Sequence, residues 1–288
     1  MKTLRFVSLL ILCAAPICSA FAQQNGQLGQ NAALRYWSAF AEMQDSAISD
    51  QQAKELSTIL DGTAPYQDLK YYELVEKNRA AVETMARGTA IPNCDWGVDY
   101  ALGQDAPVEY VRKALTLGRL NVLYAFHLGI NGDKDGAVRT IAAGVRFSRD
   151  VANGGTLFAT LVAKNLLATH IRAIAFMLHV QQLSPQQKST FQKALDQLGP
   201  DGLDWQSAVK REFQVPVRGL DAKGSSAQAQ ISTAYENALN NAAELTRLQQ
   251  MIAGAPQKLR ELIPNPQRIL EEKQDLADQL RQMRSLLQ

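Results

Sequence analysis

The chain has 288 residues, 46% of them hydrophobic, with 30 Lys/Arg against 28 Asp/Glu and three cysteines. A charge balance this close to neutral argues against a nucleic-acid binder, which needs a basic surface to neutralise phosphates. The length suffices for one good core, or for a core with a small second unit.

The first residues read as an export signal. Lys2 and Arg5 precede an apolar run, Phe6–Cys18, and Ala20-Phe21-Ala22 is a small-x-small cleavage site. Cleavage is expected after Ala22, giving a periplasmic or extracellular chain. Ile17 directly before Cys18 is too bulky for a lipobox. Cys13 and Cys18 leave with the signal, so Cys94 is the one cysteine of the mature chain and no intramolecular disulfide forms. No later apolar run is expected to span a bilayer.

After a Gln/Gly/Asn-rich lead, residues 31–46 are expected to form a helix with Leu34, Trp37, Ala41 and, further on, Ile48 on one face, and with Tyr36 and Phe40 adding aromatic bulk. Helices over 50–60 and 67–87 follow, the second with Leu69, Tyr72, Val75, Ala80, Val82 and Met85 as its apolar residues and Gly88 as its stop. Residues 89–104 are irregular, yet Cys94, Trp96, Val98 and Tyr100 alternate like an extended segment pressed on a core.

Residues 105–182 organise the rest. Three consecutive helices are expected, the first starting near Asp105. Short breaks at Asn131–Gly136 and Asn153–Gly155 favour antiparallel neighbours. Gly118 and Gly129 cost helix propensity, and close approach by a neighbouring helix is the expected return. A helix follows Ser184-Pro185, and another spans about 204–214. Residues 218–226 read as mobile, 227–253 as one long polar helix, and 267–287 as the last helix. In that last helix Ile269, Leu276, Leu280, Met283 and Leu287 form a coiled-coil-like seam. The expected fold class is all-α: antiparallel helical hairpins in a bundle or short solenoid-like core, with a C-terminal helical hairpin. The organisation is a signal at 1–22, a core at 23–201 and a C-terminal region at 202–288.

Three stretches carry a resemblance. Asn31-Ala32-Ala33 with Tyr36-Trp37, Cys94-Asp95-Trp96-Gly97 with Asp99-Tyr100, and Gly155-Thr156-Leu157 with Leu161-Val162 resemble a group of uncharacterised exported all-helical bacterial proteins. That resemblance implies export and an all-α fold, and no chemistry. The turn Gly132–Val138 also resembles the helix junction of a tetratricopeptide repeat, with no 34-residue recurrence around it.

Candidate sites stand beside plainer accounts. Asn131, Asp133 and Asp135 imitate the start of a calcium loop, but the twelfth position is Ala142 where a bidentate Glu is required. Cys94 has no histidine near it in sequence, so a buried thiol is preferred to a nucleophile. His127 and His170 stand on apolar helix faces, where core histidines are the ordinary account. A site made by His127 or His170 with Asp95, Trp96, Asp99 or Arg119 is the alternative. Arg112, Arg119, Arg139, Arg146, Arg149 and Arg172 make the central helices basic, with intramolecular ion pairs the ordinary account. No catalytic residue, metal site or cofactor is expected. The leading functional reading is a protein-interaction or scaffolding module that uses concave helix surfaces and the seam, through a protein partner or self-association. The alternative is a ligand binder or hydrolase-like enzyme with its site between the Cys94–Tyr100 loop and the central helices.

Overall fold

The computed structural model describes residues 30–44, 48–217 and 219–288. The expected signal and its cleavage point lie outside them. Among the described residues there are twelve α-helices, two 3-10 turns and no strand; a single isolated bridge joins Asn31 to Asn93.

The centre is the expected three-helix layer: α4 (Glu109–Ile130), α5 (Lys134–Ala152) and α6 (Leu157–Val180), each packed on the other two. The first of these starts four residues later than expected. Residues Tyr100–Asp105 form a 3-10 turn, and Val108 stands at the helix start with no side-chain cap. Gly118 earns its place as expected, because a methyl group there would collide with Leu166 of α6. The α4–α5 turn is closed by Asp133, whose carboxylate accepts the Gly136 N–H at 2.7 Å. Of the arginines on this layer, Arg149 and Arg172 make the expected ion pairs, with Asp150 and Asp61.

α6 is, after all, long and apolar enough to cross a membrane by length and composition. The expectation of no such run failed because a helix surrounded by α4, α5 and the helices over 50–60, 205–214 and 266–287 loses its polar face to burial, as a membrane helix does. Half of its most apolar window is buried inside the bundle, and His170 in it is completely covered.

On one side lie α1 (Ala32–Glu42), α2 (Asp50–Leu60) and α3 (Asp68–Gly88). α2 opens with a reciprocal cap between Ser49 and Gln52. The covered face of α1 is the one that carries the aromatic bulk of Tyr36 and Phe40, not the stripe through Leu34 and Trp37. Ala32, Ala33, Tyr36, Ala39 and Phe40 are covered, whereas Leu34 and Trp37 are 41% and 38% exposed. Small residues at 32, 33 and 39 let the helix approach α3 closely, and Tyr36 finds a buried partner for its hydroxyl. In α3 the covered stripe is Tyr71, Val75, Val82 and Met85, with Leu69 and Tyr72 exposed.

The C-terminal region contains α8 (Trp205–Gln214), α9 (Ala222–Asn240), α10 (Leu245–Ala253), α11 (Gln257–Arg260) and α12 (Pro266–Leu287), reached through α7 (Pro185–Asp196). Residues 222–226, expected to be mobile, are the first turn of α9, capped by Asp221. The long helix expected over 227–253 breaks at Asn241, whose extended backbone and side-chain oxygen cap a new turn through the Ala243 N–H.

The seam exists, but the chain itself covers it. Ile269, Leu276, Leu280, Met283 and Leu287 are all buried, and α12 packs on α6 and α7. Leu276 and Leu280 close on Gly202. Lys164 of α6, 7% exposed, holds Glu272 at 2.7 Å and Asp275 at 2.6 Å. Arg284 donates to the Leu195 and Leu198 carbonyls at the end of α7. The buried apolar cluster runs without interruption from Ala32 to Leu287.

This arrangement predicts the outcome of Leu276→Asp with Met283→Asp. Each change removes roughly 2–5 kcal/mol of packing and buries an unpaired carboxylate. The thermal unfolding midpoint should fall sharply with no change in the molar mass of the folded fraction, read by light scattering. Dissociation with an unchanged midpoint would instead put the seam at an interface between chains.

Candidate functional site

Three separate stretches of sequence meet at the end of α5. Asn31, at the start of α1, clamps the loop: its side chain accepts the Asp95 N–H at 2.9 Å and donates to the Asp95 carbonyl at 2.8 Å. Tyr36 donates to the Asp150 carboxylate at 2.6 Å. Trp96 donates its indole N–H to the Asp150 carbonyl at 2.8 Å, and the Cys94 thiol points at the same oxygen from 3.7 Å. Asn153 returns the bond, donating to the Cys94 carbonyl at 2.6 Å. The Trp96 ring lies 4.2 Å from that of Tyr110 and 5.6 Å from that of Tyr36, stacked on both. Gly155, opening the third stretch, fits under the Tyr110 hydroxyl.

Asp150 is 2% exposed. Burial raises its pKa, opposed by the Tyr36 hydroxyl and by Arg149, which donates two N–H groups to Oδ1 at 3.0 and 2.8 Å. The Tyr36 hydroxyl and the Cys94 thiol are both pushed up, first by burial and then by the Asp150 charge. Cys94 is therefore a protonated, buried thiol, in line with the plainer account of it. Sequence reasoning missed Asp150 and Asn153. The available signal was one carboxylate on the otherwise apolar and basic end of α5.

The residues expected to form a site are dispersed. Asp95 and Asp99 are exposed and shape their own loop: Asp95 accepts from Gly97, which sits at φ +66°, and Asp99 accepts from Ala101. Trp96 belongs to the buried stack. Arg119 is half-buried on α4, where desolvation lowers its pKa and the Asp50 carboxylate opposes that shift. His127 joins α4 to α3 through Asp68, 2.9 Å from its Nδ1, with Glu76 at 3.8 Å from Nε2.

His170 lies in the central layer and shares no partner with His127. Asn121 donates its amide to the Thr140 carbonyl, which turns its oxygen toward His170 Nε2 at 3.1 Å. Nδ1 lies 2.9 Å from the Leu166 carbonyl and 3.1 Å from the Ser148 hydroxyl, whose own proton goes to the Gly144 carbonyl at 2.8 Å. A methyl group on Gly144 would strike both His170 and Asn121. This fully buried chain of polar groups crosses α4, α5 and α6 without reaching solvent.

Several concavities open among the described residues, and three of them concern these elements. A cleft of about 620 Å³ adjoins the Asp150 junction, between the end of α5, the Asn153–Gly155 turn, the 197–204 connection and α8. At the opposite end of α6 lie two grooves, of about 690 Å³ and about 660 Å³. The first is walled by Tyr66, Phe126, Ile130 and Phe176, the second by Leu178, Leu183 and Leu286, and both include His179, Val180 and Gln181. No family model, curated protein or solved structure matches the chain.

His170 carries a pH prediction. Burial lowers its pKa from 6.5 to about 4. Between those values the unfolded chain binds more protons than the folded one. Stability is therefore complete above pH 6.5 and falls toward pH 4, by roughly 3 kcal/mol. In His170→Gln the urea midpoint should be lower at pH 7, and its decline between pH 6.5 and 4.5 should be shallower than in the wild type. An identical decline in both would show that the proton is taken up elsewhere.

Proposed function

We propose that the protein is an exported helical binding module that holds an apolar segment of a partner protein across the C-terminal end of α6. The observation that carries this reading is the pair of adjoining grooves. Ile130, Val180 and Leu286 are 57%, 50% and 55% exposed, and they line one track from Tyr66 and Phe126 across Val180 to Leu183. Contiguous exposed apolar surface of this kind marks interaction sites more often than isolated surface residues do. Two grooves in series suit an extended segment better than a compact small molecule.

The aromatic wall is preorganised. Phe126 is set between Tyr66 and Phe176, with ring centroids 5.4 and 4.8 Å away. Such anchors lose little side-chain freedom on binding, which favours affinity. The placement outside the cytoplasm rests on the N-terminal pattern of Lys2, Arg5, Phe6–Cys18 and Ala20–Ala22, and on the resemblance of the three stretches that meet at Asp150. The partner-binding role moves from the seam to the grooves because α6 and α7 occupy the seam.

Selection of displayed random peptides on the mature chain tests the proposal. Enriched peptides should be rich in aromatic and aliphatic residues. Binding should be lost in Ile130→Asp and in Val180→Asp, whose stability should stay within about 0.5 kcal/mol of wild type because both side chains are at the surface. No enrichment, or binding unaffected by either substitution, would overturn it.

A further inference from the structure

We infer that the cleft beside Asp150 is a second binding site, for a small organic molecule carrying a phosphate or carboxylate group. The inference is independent of the grooves, which lie at the far end of α6.

The charges of the cleft are asymmetric in what they leave available. Two of its lining residues are cationic, Arg149 and Arg211. A third guanidinium, that of Arg146, stands behind the lining residue Gln197 and donates to it at 3.0 Å. The two lining carboxylates are already committed. Asp150 accepts from Tyr36 and Arg149, and Asp204 accepts from the Ser207 N–H at 2.9 Å to cap α8. Arg149 spends Nε and Nη2 on Asp150. That fixes its plane and leaves its remaining edge as a positioned donor. Arg211 is held over the Tyr100 ring, 5.5 Å from the centroid, so its position too is set in advance.

The backbone adds to this. The Asn153–Gly155 turn borders the cleft, and the Cβ direction of Gly154 meets open space. A ligand oxygen can therefore approach the main chain there without meeting a side chain. Guanidinium pairs and exposed backbone amides are the usual means of holding planar or tetrahedral oxyanions. A volume of about 620 Å³ far exceeds a bare anion, and Leu198, Leu203 and Ala208 supply an apolar wall for an organic body.

The test is a titration of the full mature chain with phenyl phosphate, benzoate and benzyl alcohol at fixed ionic strength. It follows the amide chemical shifts of Gly154 and Gly155. The two anions share a ring and differ in the charged group, so the tighter of them identifies the preferred chemistry. Saturable shifts are expected with at least one anion and not with benzyl alcohol. Arg211→Gln and Arg149→Gln should each weaken binding by about tenfold or more. The exposed Arg139→Gln, equal in charge change and on the same helix as Arg149, should leave binding unchanged. If Arg149→Gln loses its fold by circular dichroism, Arg211→Gln alone decides. Absence of saturable shifts with both anions, equal affinity in Arg211→Gln, or an equal response to benzyl alcohol would each overturn the inference.

Discussion

A single buried acid sets the geometry of one whole end of the molecule. Asp150 cannot be covered cheaply, because an unpaired carboxylate in a protein interior costs several kcal/mol. The fold meets that cost with a hydroxyl from α1 and a guanidinium from the adjacent residue. The carbonyl of the same residue gathers Trp96 and Cys94 from the irregular segment. Once these donors are in place, α1, the Cys94–Tyr100 loop and the α5–α6 turn have little freedom left. The aromatic stack of Phe40, Tyr36, Trp96 and Tyr110 then fills the space that the polar contacts define.

Helix punctuation was the most readable part of the sequence. Asp133 and Ser184 cap the helices that follow them, because short polar side chains satisfy free amides whatever the tertiary context, whereas the start expected near Asp105 gave way to a 3-10 turn. Alternation in Cys94, Trp96, Val98 and Tyr100 also translated directly into inward-facing side chains. Face assignment was less readable. In α1 an apolar stripe through Leu34 and Trp37 competes with one through Tyr36 and Phe40, and only the location of Asp150, far along the chain, decides between them.

The seam of α12 illustrates a different limit. A heptad-like pattern specifies that a helix will be covered, and Leu276 and Met283 are; it carries no information on whether the cover comes from the same chain. Lys164 supplied the missing clue. A lysine in the middle of the most apolar helix demands acidic partners, and Glu272 and Asp275 of α12 provide them. The dispersed histidines follow the same logic. Each answers to a local requirement, His127 to the first turn of α3 and His170 to the polar chain through the centre, so the two do not meet in space. The cleft and the grooves escaped sequence reading because each is bounded by backbone turns from distant segments.

The placement of the two clamps has a kinetic consequence. The α4, α5 and α6 layer is joined by short turns, so its contacts close small loops and form rapidly. The contacts that seat α1 and α12 span 114 residues from Tyr36 to Asp150 and 111 from Lys164 to Asp275. The entropic cost of closing a loop rises with its length, and distant contacts form late. The order of assembly is therefore centre first and flanks afterward. On the reverse route, detachment of α1 or α12 bares the apolar faces they cover, and such faces are prone to aggregate.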